Sequence, residues 1–413
     1  MQPDRTTPAA ERMTRAEIRA GASLASVYGL RMLGLFFILP VFAVHAAKIR
    51  GGGDLALVGI ALGAYGLAQG ILQIPFGMAS DRWGRKPVLY VGLLIFAAGS
   101  FLGIVADDIW TVIAARTLQG AGAISSVAMA LAADLTREQH RTKIMAMIGS
   151  MIGFMFALSL VGAPVLYRWI DMAGLFALTG FLSLGAMWVV KTQVPDAPIR
   201  ARSAAAGPIP MRAALLHPEL LRLNAGIFIL HVVLYAMFVV VPPMMVDAGL
   251  ELSAHWKLYL PVVLLSFLVM IPPILYVDRR NAPKPVLIGA VALLVVVEAA
   301  FGAMDKGLST LAALMLGFFI SFNVLEALLP SLASRIAPAE GRGVAIGVYN
   351  TTQTLGVALG GALGGWVAKH YGAAAVFGLC AALSVLWLVV VAGMRPVPLP
   401  ASRAVNGLSN AAL

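Results

Sequence analysis

One cysteine, six histidines and 19 acidic residues are all that 413 positions supply. The lone Cys380 excludes an internal disulfide and leaves a thiolate zinc site without its ligands. It stands inside an apolar run, where a small core residue is expected. Charged residues reach only 12%, against 60% apolar ones, and mean hydropathy is +0.89. That balance excludes an ordinary soluble globule. No nucleophile, base and orienting group form a set, and no metal-ligand cluster stands out, so an enzyme is not expected. The glycine-rich "GVALGGALGGW" at 356–366 follows no strand and precedes no Lys-Ser/Thr pair. It reads as close helix packing or bending, not as a phosphate loop. The first apolar run is too long for a signal-peptide core and shows no small-x-small cleavage site.

What the chain has is long apolar runs. About 20 apolar residues in a helix cross a hydrocarbon core of roughly 30 Å. Twelve such spans are predicted: 23–45, 55–78, 87–106, 109–133, 143–166, 171–191, 220–246, 256–277, 284–304, 309–333, 343–369 and 373–393. The fold class is therefore an all-α integral membrane protein. The one long polar linker, 192–219, separates a first six-helix bundle (23–191) from a second (220–393). Residues 1–22 and 394–413 form the terminal segments.

The net charge of +11 raises a nucleic-acid partner, and the placement of the basic residues removes it. Of 30 Lys and Arg, 22 fall on the side of the two termini, 6 in the opposite loops, and Arg31 and Arg116 within spans. By the positive-inside rule both termini are expected in the cytoplasm, at the inner membrane, facing anionic lipid headgroups. The halves also repeat: "KPVL" at 86–89 recurs at 284–287, and "FILPVF" at 37–42 matches "VVVPPM" at 239–244. Weak symmetry between six-helix halves marks transporters built from repeats, with the site at the repeat interface.

Two motifs point to a family. "GMASDRWGRKPVL" at 77–89 resembles the 2–3 loop signature of the major facilitator superfamily, and "RTLQGAG" at 116–122 resembles its helix-4 signature. "YGLRMLGLFFILPV", "ADLTREQHRTKIMAMIG", "HWKLYL" and "FNVLEALLPSL" extend the likeness to the YajR-type proton-coupled efflux transporters. Proteins of that type often carry a soluble ferredoxin-like domain after helix 12; here a short tail is expected in its place. The helix-5 antiporter signature is degenerate, with Gly149, Gly153, Gly162 and Pro164 irregularly spaced.

The resemblance implies that spans 1, 4, 7 and 10 line a central cavity. Each carries an ionisable residue: Arg31, Arg116, His231 and Glu326. Charges inside a membrane are costly and mark function by default. Counting about 1.5 Å per residue sets Arg31, His231 and Glu326 roughly 10–17 Å from the cytoplasmic face, with Arg116 above them. Glu326 alone in an apolar cavity holds a proton, and beside Arg31 it gives one up. Glu326 is thus the expected proton site, His231 a relay, and Arg116 resembles the arginine linked to proton transfer in family antiporters. The alternative is a fixed Arg31–Glu326 pair that holds the halves together. Glu298, on the peripheral span 9, is expected to pack between helices or stay protonated. Tyr65, Gln69 and Gln73 share one face of span 2; Tyr235, Asn323, Tyr349, Asn350 and Gln353 are further cavity candidates or interhelical hydrogen-bonding groups.

The loop itself reads as a conformational gate of Gly77, Asp81, Arg82, Gly84, Arg85, Lys86 and Asp134. The resemblance places Asp81 against the N-terminus of span 11 and pairs Arg85 with Asp134. The expected function is secondary active transport by alternating access, as proton-coupled efflux of a small molecule. Uptake of a zwitterion or anion is the alternative, and a non-transporting receptor or scaffold a third. The proton gradient is the energy source, with no cofactor, no metal and no nucleic acid, and a monomer is expected.

Overall fold

The computed structural model describes residues 13–196, 216–303, 307–337 and 342–395. The helices, in chain order, are α1 (Arg15–Ala46), α2 (Leu55–Trp83), α3 (Arg85–Ile104), α4 (Ile109–Ala121), α5 (Ser125–Asp134) and α6 (Glu138–Gln193) in the first half. The second half holds α7 (Pro218–Asp247), α8 (Trp256–Arg280), α9 (Pro283–Ala303), α10 (Leu308–Ile336), α11 (Arg342–Tyr371) and α12 (Ala373–Ala392). Most of the predicted linker, 197–215, lies outside the described residues, as do 1–12 and 396–413.

Nine helices among the described residues are long and apolar enough to cross a membrane. The difference from twelve has three local causes. Helix α6 contains two predicted spans, joined at Asp171, whose φ of 53° and ψ of −169° break the helical path. Span 4 is divided: α4 ends at Ala121, Ile124 N–H donates to the Gly122 carbonyl at 2.8 Å, and α5 restarts at Ser125. Helix α11 carries the polar run "NTTQT" at 350–354, which lowers its hydropathy. Twelve crossings result.

Helix α1 starts at Arg15, before the predicted boundary at 23, because "TRAE" builds a capping box. The Thr14 hydroxyl accepts the Glu17 N–H at 3.2 Å, and the Thr14 N–H donates to Glu17 Oε2 at 2.8 Å. Arg137 then forks onto both Glu17 oxygens at 2.9 Å, which fixes this first turn to the segment between α5 and α6.

The "KPVL" repeat also has a structural reason. Lys284, at the start of α9, donates to the carbonyls of Ala392 and Met394 at the end of α12. In the first half Lys86, at the start of α3, lies 2.7 Å from Asp196, just past the end of α6. Each lysine ties the third helix of its half to the end of the sixth, where a cation also suits the helix dipole.

Where the chain turns between α2 and α3 it carries the basic signature loop; that side is called the basic end, and the opposite side, with residues 47–54 and 372, the far end. The halves meet most closely at the far end. A Cβ placed on Gly59 of α2 would lie 2.1 Å from the Gly361 carbonyl of α11, and one on Gly365 would lie 2.3 Å from the Leu55 carbonyl. Lys369 crosses the same seam to Asp54 at 2.7 Å. Toward the basic end the seam parts: Gly149 and Gly153 of α6 and Gly343 and Gly347 of α11 face open space. The molecule is closed at the far end and open at the basic end.

Candidate functional site

The first half builds its polar centre around the break in span 4. Arg31 of α1 is 0% exposed. Its Nη2 donates to the Tyr65 hydroxyl at 2.6 Å, to Gln69 Oε1 at 2.8 Å and to the Gly122 carbonyl at 3.2 Å, and its Nη1 to Ser125 Oγ at 3.3 Å. The Tyr65 hydroxyl in turn donates to Gln69 Oε1. Arg31 thus splints the two pieces of the broken helix, using a carbonyl that the break set free. Arg116 of α4 is also buried and donates to Gln119 Oε1 at 2.8 Å, while Gln119 donates onward to Ser100. Both guanidinium groups lie near the Tyr65 ring, at 5.7 and 5.2 Å from its centroid. The hydrogen-bond partners of both arginines are neutral, and Nε of each is buried without a partner.

The second half holds a different centre. His231 of α7 has Nδ1 3.1 Å from the Ile227 carbonyl. That bond puts the proton on Nδ1 and leaves Nε2 as an acceptor for the Gln353 amide at 2.9 Å. The second hydrogen of the same amide points to Glu326 Oε1 at 3.3 Å. Gln353 of α11 therefore joins α7 to α10 through one side chain. Glu326 Oε2 and the Tyr349 hydroxyl are buried without partners, and the two groups are within electrostatic reach. Tyr235, one turn beyond His231, lies within electrostatic reach of Tyr65 and Arg116 across the divide.

The expected partnership of Arg31 is corrected, and the hydrogen bonds of three cavity candidates run elsewhere. Arg31 does not pair with Glu326; its hydrogen bonds all go to α2 and to the split span, so neither a switching pair nor a fixed Arg31–Glu326 pair is made here. Depth along a helix sets height, not the direction in which a side chain points. Asn323 turns away from Glu326 and donates to Ser266 of α8 at 2.9 Å. Gln73 contributes its carbonyl to Ser126, and its Oε1 is buried without a partner. Asn350 is half-buried, and its carbonyl accepts the Thr354 hydroxyl at 3.3 Å.

Glu298 is 0% exposed, with neither carboxylate oxygen hydrogen-bonded, at the α9–α12 contact near Cys380. Gln119 and Ser125 were not singled out in the sequence. The spacing Arg116–Gln119, one helical turn, was the available signal for the first.

At the basic end, Arg85 reaches Asp134 at 3.0 Å and Asp81 at 2.6 Å, and donates to Ser80. The contact implied for Asp81 with the N-terminus of α11 is not made among the described residues. Its carboxylate is 57% exposed and is paired to Arg85 on the near side. This agrees with the open basic end, where Gly343 and Gly347 of α11 face open space. Gly84 takes φ 91°, which lets α2 turn into α3, while Gly77 has room beside Ser126. Arg82 is exposed. In the second half the left-handed position is filled by Asn281, φ 49°, at the end of α8. Among the described residues no three His, Cys, Asp or Glu side chains group as metal ligands.

Comparison with known proteins follows the same line. The sequence profile of the Major Facilitator Superfamily matches residues 24–359 and 322–411. The chain is 41% identical over 389 residues to the inner membrane transport protein YajR of Escherichia coli (strain K12), covering 94% of this chain and 86% of that one. It is 28% identical over 352 residues to the multidrug resistance protein MdtH of Edwardsiella ictaluri (strain 93-146), covering 82% and 84%. Among solved structures, a D-xylose-proton symporter superposes with a TM-score of 0.71 at 16% identity, over 92% of this chain and 98% of that chain, which is a likeness of fold.

Proposed function

The chain belongs to the Major Facilitator Superfamily, a family of transporters rather than enzymes, and we propose that it is a proton-coupled efflux transporter of small amphipathic molecules. It would lie in the inner membrane as a monomer, with both termini and the basic end in the cytoplasm, and draw on the proton gradient alone. The open side described above is then the cytoplasmic one. The observation that carries this reading is the row Glu326–Gln353–His231, which links three helices around a buried carboxylate with no cation beside it.

The row can hold either charge state. With its NH2 turned inward, Gln353 donates to a carboxylate and to a neutral imidazole. Rotated by half a turn, it offers its carbonyl to a protonated carboxyl or to an imidazolium. Glu326 is the proton-carrying group in this reading and His231 the relay. When the halves rock and α11 moves, Gln353 leaves one partner or both. The free energy of holding the proton then differs between the two states, which is what coupling requires.

A second reading, proton-coupled uptake of an anion or zwitterion, draws on Arg31 and Arg116, two buried cations whose bonded partners are neutral. Candidate compounds come from drug-tolerance selection on overexpression, followed by counterflow in proteoliposomes at two pH values. Proton release on adding substrate supports efflux by antiport, and proton uptake supports the second reading. Glu326→Gln should abolish pH-driven transport and keep counterflow. If pH-driven transport survives, Glu326 is not the proton site.

A further inference from the structure

We propose that the groove between α8 and α10 at the far end is a phospholipid site, with an acyl chain along its floor and the phosphate on Lys257. The groove has a volume of about 460 Å³. That lies within the roughly 300–1,000 Å³ of sites that hold small organic molecules. Its walls are apolar: Leu258, Pro261 and Leu265 on α8, Ala313 and Leu316 on α10. The polar side chains on it, Lys257 and Ser309, stand near the starts of α8 and α10.

Three observations select the occupant. First, the groove opens on the outer face of the bundle, where its neighbours Leu264 and Leu268 are 61% and 63% exposed. An exposed apolar face of this kind in a membrane protein meets lipid chains. Second, Lys257 is exposed and has no ion-pair partner among the described residues. It follows Trp256 at the helix start, the residue pair that marks the headgroup level. Third, the lining runs from Lys257 to Leu265 and from Leu308 to Leu316. Eight residues at about 1.5 Å each give a trough roughly 12 Å deep, directed from headgroup level into the hydrocarbon. A cation at the interface above an apolar trough complements a phosphate above an acyl chain. Neither an anionic solute nor a wholly apolar molecule satisfies both parts.

The experiment uses the full chain, purified in a mild detergent and examined by native mass spectrometry. Wild type should retain one phospholipid. Lys257→Gln should weaken that retention about fivefold, the fold-change corresponding to about 1 kcal/mol per basic residue at a lipid surface. Ala313→Trp, which fills the trough from an exposed position, should remove the adduct. A second measurement needs no variant: a phospholipid with a diazirine in its acyl chain, reconstituted with wild type, should label 257–265 and 308–316. Labelling spread evenly over exposed apolar residues such as Leu386 and Val389 of α12 overturns the proposal. So does equal lipid retention in all three proteins, or a protein dimer in place of the lipid adduct. Because no transport is measured, the outcome is independent of the efflux reading.

Discussion

Replacing Gly59 with alanine should drive the molecule out of the conformation described here. The added Cβ would sit 2.1 Å from the Gly361 carbonyl oxygen and 2.8 Å from Gly365 Cα, while ordinary contact begins at 3.4 Å. The seam must therefore open by about 1.3 Å (3.4 − 2.1), and both obstacles are backbone, so no side chain can rotate away. Overpacking of this kind costs about 1–3 kcal/mol. Only the state closed at the far end bears the cost, because in the other state α2 and α11 separate there. The equilibrium then shifts about 5- to 150-fold toward opening at the far end.

Distances between spin labels measure this. One pair at Gly53→Cys and His370→Cys spans the far end, and another at Met78→Cys and Gly343→Cys spans the basic end, both in a Cys380→Ala background. Gly59→Ala should lengthen the first distance and shorten the second. Gly378→Ala, on α12 away from the seam, is the control: nothing lies within 4 Å of its added Cβ, so neither distribution should move. If Gly59→Ala lowers the melting temperature yet leaves both distributions unchanged, the cost falls on both states and the seam is not what selects between them.

Asp81→Asn should abolish turnover with little loss of substrate binding, because the state closed at the basic end loses the carboxylate proposed to meet α11; normal turnover in counterflow would refute it. The hydrogen bond from Lys369 holds Asp54 below the usual carboxylate range, so this bridge is fully present above that range and is lost only as pH falls through the lowered value. Far-end distances should thus be the same at pH 7 and pH 5 and lengthen only in stronger acid. Arg31→Met removes the hydrogen bonds that the guanidinium gives to Tyr65, Gln69, Gly122 and Ser125 across the split span, and should lower stability in denaturant by about 1–3 kcal/mol. Glu17→Gln should break the fork to Arg137 and speed hydrogen exchange over residues 14–20, leaving α12 unchanged.

Most of the helical plan was legible because it depends on averages. A run of apolar residues declares a span whatever its neighbours do, and the twelve crossings stand although α6 runs through two of them. What was not legible depends on direction or on state. The split of span 4 turns on Gly120 and Gly122, whose missing side chains let the helix press on the Tyr65 and Gly92 carbonyls; a hydropathy window does not see a carbonyl on another helix. Arg31 and Glu326 lie at similar depth, but each residue turns the helix by 100°, and Arg31 points toward α2 and the freed Gly122 carbonyl. The Asp81 contact with α11 was expected from the resemblance, and in this conformation Asp81 pairs with Arg85 instead. Asn281 replaces a glycine at a helix end, readable in principle because asparagine tolerates the left-handed region.

The separation of the charges has a mechanical consequence. Had Arg31 been paired with Glu326, each cycle would break a buried ion pair, at about 3–5 kcal/mol. Instead, Arg31 and Arg116 keep their hydrogen bonds inside the first half, and the Glu326–Gln353–His231 row stays inside the second. The described ion pair that crosses between halves, Lys369–Asp54, sits at the far end with both groups partly exposed, where such pairs are weak. The halves can therefore part without breaking an interior ion pair between them. The balance of states is left to contacts of modest strength at the two ends: a glycine seam at one, and the Asp81 loop at the other. Under the proposed coupling, a proton on Glu326 acts on the row that α7, α10 and α11 share, and it need not compete with a buried ion pair between the halves.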